Sequence, residues 1–121
     1  MELGRVSSGA LMLSGLAGVV MPRSVGDALD LPASSARGVA ETRAGLGGTY
    51  AALGAWALAT RDPTAQRAVG VTWIGAACAR MGSILVDRPE IDWTFWAYLA
   101  AEVGFGAMAL RAHAVPGHAG N

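Results

Sequence analysis

Four stretches of this chain run almost without charge for the length a helix needs to cross a lipid bilayer. Residues 6–22 and 44–60 carry no charged side chain, 68–86 carry Arg80 alone, and 93–110 carry Glu102 alone. A helix crosses the hydrocarbon core with about 20 mostly apolar residues. A helix of a soluble bundle would show a polar stripe along one side, and none of the four runs has one. Composition agrees, since 53% of the 121 residues are hydrophobic and 15% are charged, against roughly 25% charged in soluble domains. The expected fold is therefore all-α, a four-helix transmembrane bundle running up-down-up-down with helices near 6–22, 38–60, 66–86 and 93–111. A soluble four-helix bundle is the competing reading. Residues 1–112 make one membrane domain, and 113–121 a flexible tail.

The connections suit four crossings. "RDPTAQR" (61–67) and "DRPEID" (87–92) are short and charged, and their prolines Pro63 and Pro89 end helices cleanly. The longer "RSVGDALDLPASSAR" between the first two runs offers Val25, Ala28, Leu29 and Leu31 as a short helical turn at the membrane interface. Trp93, Trp96 and Tyr98 crowd the start of the fourth run and Trp56 lies near the end of the second, as interface anchors do. The first run resembles the apolar part of a signal peptide. The small-residue stretch "PASSA" lies too far beyond it for cleavage, so it reads as a retained span. With the N-terminus inside, Arg5, Arg61, Arg67 and Arg111 lie on the cytoplasmic side and Arg23, Arg37 and Arg88 outside. Under the positive-inside rule this places both termini in the cytoplasm. All nine basic residues are Arg, a compositional sign of a GC-rich bacterial genome, and hence of a multi-pass protein of a bacterial inner membrane.

Several chemistries find no support. The net charge is zero, which offers nucleic acid nothing. Cys78 is the only cysteine, so no intrachain disulfide forms, and its expected role is a small core residue inside a helix. His113 and His118 fall in the tail, where two ligands rarely hold a metal, and no nucleotide-binding loop is present. Neither a metal nor a cofactor is expected. The glycines of "AGLGGTYAALGA", Gly45, Gly47 and Gly48 among them, read as helix-packing positions, because small residues let membrane helices approach closely.

The charges inside the runs are the unusual feature. A central Arg or Asp costs about 2.5–3.5 kcal/mol on insertion scales and normally faces the protein interior with a partner. At about 1.5 Å per residue, Arg80 lies roughly 10 Å below the surface marked by Asp87, and Glu102 roughly 15 Å below it. Helical side chains tilt toward the N-terminus of their own helix. In antiparallel neighbours Arg80 and Glu102 then lean toward each other, which makes Glu102 the expected partner; snorkelling of Arg80 to water is the alternative. A structural salt bridge that fixes register outweighs a catalytic role for this pair. Glu41 and Arg43 lie about 200° apart on a helix and cannot face one partner. Arg43 can snorkel. Glu41 either pairs with Arg37 one turn earlier or turns inward to Arg80, and in the latter case Asp87 completes a small polar pocket open to the outer face.

The segment "ETRAGLGG" resembles the E-x-R-A-x-x-G-G signature of an uncharacterised family of small bacterial membrane proteins, and "RMGSILVDRP" and the Glu of "AYLAAE" match the same pattern over about residues 10 to 111. Pro22 also fits. The resemblance implies a four-helix membrane bundle, distantly similar to the DoxX-like group, and treats Glu41, Arg43, Gly47, Gly48, Arg80, Asp87 and Glu102 as one set. It implies no activity.

Three functional classes stay open. The first is a non-enzymatic membrane protein whose polar cluster (Glu41, Arg43, Arg80, Asp87, Glu102) binds a small ligand, a lipid head group or a partner membrane protein, a second copy included. The second is a small proton-coupled transporter or channel subunit titrating at Glu41 and Glu102. The third is a membrane enzyme using a carboxylate as general acid or base on an apolar substrate.

Overall fold

The computed structural model of the chain describes residues 2–111. The tail expected to be flexible, with His113 and His118, lies outside the described residues. Helices account for nearly all of the rest, and no strand occurs among the described residues. They are α1 (Glu2–Val20), α2 (Pro22–Ala28), α3 (Ala36–Thr42), a π-helical segment (Arg43–Gly48), α4 (Thr49–Thr60), α5 (Pro63–Val86) and α6 (Trp93–Arg111). The expected short turn after the first run is α2, and α3, the π segment and α4 follow one another without a break. By length and composition α1 and α5 are apolar enough to cross a membrane.

The starts and stops follow local chemistry. Ser35 caps α3 by accepting the Gly38 N–H at 3.0 Å, and Asp62 caps α5 by accepting the Thr64 N–H at 2.8 Å, with Pro63 in the first turn. Asp92 accepts the Phe95 N–H at 3.1 Å and the Thr94 hydroxyl at the head of α6. Each satisfies a backbone donor that the helix itself leaves unpaired. Arg61 ends α4 in the left-handed region, with φ 54° and its N–H on the Ala57 carbonyl.

The described residues divide into two compact units, Ser8–Arg61 and a second holding residues 62–111 together with residues 2–7. In Ser8–Arg61, α1 meets the π segment and α4 backbone to backbone. A Cβ on Gly54 would stand 2.5 Å from the Met12 nitrogen and 2.6 Å from the Ser8 carbonyl oxygen, and one on Gly47 would stand 2.6 Å from the Val19 nitrogen. Gly18 and Gly15 complete the seam from the α1 side. Of the three glycines expected to pack, only Gly47 lies in it. A Cβ on Gly45 would meet nothing within 4 Å, and one on Gly48 only the Arg43 carbonyl of its own turn. Two positions apart on a helix means about 200° of rotation, so Gly45 and Gly47 cannot face the same neighbour. The Thr49 N–H reaches back to the Ala44 carbonyl, an i→i+5 bond that puts more residues into a turn and shifts the inward face relative to an α-helical count.

In the second unit α5 and α6 run side by side. Gly70 lies under Leu110 and Ala109, Gly106 lies under Ile74, and the rings of Trp73 and Phe105 stack with centroids 5.3 Å apart. Ser7 at the base of α1 donates to the Phe105 carbonyl at 2.7 Å. Cys78, expected in the core, is exposed on α5. It shares the outward face with Val71, Gly75 and Leu85. Where the outer surface is itself apolar, a small apolar thiol gains nothing from the interior.

Two measurements follow from this packing. Gly47→Leu and Gly54→Leu force backbone apart and are expected to lower thermal stability in detergent by about 1–3 kcal/mol or more, while Gly45→Leu leaves it at or above the wild-type value. At α6, the Thr94 hydroxyl and then the Phe95 N–H hold the Asp92 carboxyl below its ordinary value. A depressed folded value means that the cap's contribution is full above the unfolded pKa, about 3.9, and disappears as pH falls through the folded one. The Phe95 amide resonance should therefore titrate with a midpoint below that of a free Asp, and Asp92→Ala should abolish the transition.

Candidate functional site

The contacts of Gly70 with Leu110 and of Gly106 with Ile74 show the register of α5 against α6. Carried toward the α5–α6 turn, this register brings Arg80 level with Ala100, two residues short of Glu102. The two side chains close that offset by leaning toward the N-termini of their own antiparallel helices. Arg80 Nε donates to Glu102 Oε2 at 2.9 Å and Nη2 donates to Oε1 at 2.6 Å, a two-point ion pair. Such paired charge-assisted bonds fix orientation as well as energy. The Glu102 side chain is 9% exposed and that of Arg80 25%.

Two rings complete the surroundings of the guanidinium. Its carbon lies 5.6 Å from the centroid of Phe95 and 5.5 Å from that of Tyr98, within the range at which a cation is drawn to a ring face. Phe95, Tyr98 and Glu102 follow one another at intervals of three and four residues, so one face of α6 supplies two rings and the carboxylate. On α5, Trp73, Ala77 and Arg80 form the facing row by the same spacing. The Ser83 hydroxyl donates to the Arg80 carbonyl at 2.9 Å within the same helix.

The other charges singled out by the sequence have partners or places of their own. Glu41 pairs with Arg37 at 3.0 Å, one turn earlier on α3, with both side chains well exposed. Arg43 donates through Nη1 to the Val19 carbonyl. That oxygen lies in the last turn of α1, where carbonyls lack an intrahelical partner and a positive charge also meets the negative end of the helix dipole. Asp87 is the exposed C-terminal cap of α5, with its N–H on the Ser83 carbonyl at 2.8 Å. Phe95 and Tyr98 were not singled out as partners of Arg80; their spacing from Glu102 was the available signal. Two buried polar atoms, Ser8 Oγ and Trp73 Nε1, have no hydrogen-bond partner among the described residues. Among the described residues no group of His, Cys, Asp and Glu is arranged to hold a metal ion.

Residues 3–113 match the family model described as a domain of unknown function, DUF4345, and the chain belongs to that family. Neither a curated protein nor a solved structure matches it.

Stability measurements on Arg80→Gln, Glu102→Gln and the double variant test the pair. Losing one partner of a buried ion pair costs about 3–5 kcal/mol. Glu102→Gln is expected to be the worse change, because a stranded carboxylate can take up a proton whereas a stranded guanidinium cannot lose one. The double variant should be milder than the sum of the singles by about 0.5–3 kcal/mol. Strict additivity would mean that the two side chains do not interact.

Proposed function

We propose that this family member is a multi-pass protein of the bacterial inner membrane that is not an enzyme, and that the Arg80–Glu102 site binds a small ligand, a lipid head group or a partner membrane protein. The observation that carries the proposal is the ion pair itself: a guanidinium and a carboxylate joined at two points, set in helices that carry almost no other charge. The outward-facing surface supports a lipid environment, since Leu13, Val71, Leu85, Val86 and Trp93 are all exposed. Soluble monomers rarely expose so much apolar surface.

In this reading the chain crosses the membrane four times, with both termini in the cytoplasm. The crossings are α1, the continuous run from α3 through α4, α5, and α6. The first and third have the length and composition for it, and α6 begins at two exposed tryptophans, Trp93 and Trp96, suited to the interface. Both Glu102 oxygens are engaged by Arg80, which favours a binding role for the site over the proton-coupled alternative.

Alkaline carbonate treatment of membranes from expressing cells is expected to leave the protein in the pellet, and its appearance in the supernatant would overturn the proposal. Alkaline phosphatase fused after Arg111 is expected to be inactive and the same enzyme fused after Arg88 active. The reverse pattern would invert the orientation.

A further inference from the structure

We infer that the open edge of the Arg80 guanidinium receives the phosphate of a phospholipid head group; this rests on the membrane reading above and names the ligand of that site. Glu102 occupies the Nε–Nη2 edge. Nη1 meets no acceptor among the described residues, and the Arg80 side chain is 25% exposed. The Nη1–Nη2 end of the fork therefore points away from Glu102 with unused N–H donors. A guanidinium presents its donors as a rigid planar fork that matches the oxygens of phosphate and carboxylate. The two-point grip of Glu102 and the rings of Phe95 and Tyr98 hold that fork in place, so little ordering is left for an incoming anion to impose.

Depth and charge select the source of the anion. Phe95 and Tyr98 lie in the first two turns of α6, close in sequence to Trp93 and Trp96, which are 78% and 50% exposed. Tryptophans of this kind sit at head-group level, so the guanidinium lies just beneath it. On α5, Met81 and Leu85 are exposed next to Arg80 and offer a path for acyl chains. The aqueous approach is different. The turn above the site carries Asp87, Glu90 and Asp92 against Arg88 alone, which repels a free anion arriving from water. A phosphate already anchored in the leaflet reaches Arg80 from the side.

The test uses the whole wild-type protein in maltoside detergent, labelled with 15N-arginine, with the Arg80 side-chain signals assigned through Arg80→Lys. Dihexanoyl phosphatidylglycerol, inorganic phosphate and octanoate are titrated separately. Saturable movement of the Arg80 Nη signals by the phospholipid, at a half-saturation at least about tenfold below that of either other anion, is the expected result. Equal response to inorganic phosphate would overturn the lipid source, and equal response to octanoate would overturn the preference for phosphate. No movement with any of the three would overturn the site. Carbonate extraction of the same protein separates these failures from that of the membrane reading. A protein that stays in the membrane while Arg80 does not respond has lost only the head-group assignment.

Discussion

The ion pair between Arg80 and Glu102 does two things that no apolar contact in this molecule could do. An apolar side chain slides along a helix at little cost, and α5 and α6 offer mostly small and aliphatic surfaces to each other. A two-point guanidinium–carboxylate pair has one geometry. A one-residue slip of α6 would pull both oxygens off the fork and leave two charges in an apolar setting. The pair therefore acts as a register pin for the hairpin, and the contacts of Gly70, Ile74 and Gly106 below it are those the pinned register allows.

Ser8–Arg61 solves the same problem mainly by close backbone approach, with Arg43 on the Val19 carbonyl beside it. There the helices come so close that glycine is the only residue that fits at Gly47 and Gly54, and backbone atoms themselves set the distance. Contact of this kind suits lipid, in which helices gain nothing by hiding apolar surface from one another. One half of the chain is thus specified by shape and the other by a charge pair, and the two devices fail differently. Added bulk breaks the first; the loss of a single hydrogen-bonding group breaks the second.

Much of this was legible in the residues, and the rest was hidden for definite reasons. Uncharged runs located the helices because the pattern is long and strong, and the opposite tilts of antiparallel side chains singled out Glu102 for Arg80. The choice between Arg37 and Arg80 for Glu41 could not be made, since both were within reach of a carboxylate; the structure shows the local pair. Gly45 and Gly48 were grouped with Gly47 on residue size alone, although about 200° of helical rotation separates Gly45 from Gly47. Cys78 was misread because burial rules drawn from soluble cores assume an outer surface that rejects apolar groups. Tyr98 was read as an interface anchor and Phe95 was not singled out. Their part around the guanidinium depends on α6 turning one face toward α5, which only the packing reveals.

The bond from Arg43 to the Val19 carbonyl joins positions 24 residues apart, and that separation is also an interval of time. At synthesis rates of about 5–20 residues per second, on the order of one to five seconds pass between the making of α1's last carbonyls and the arrival of the side chain that caps them. Until Arg43 is made, the last carbonyls of α1 lack the partner that the finished structure gives one of them, so the end of α1 is completed only with the start of the π segment.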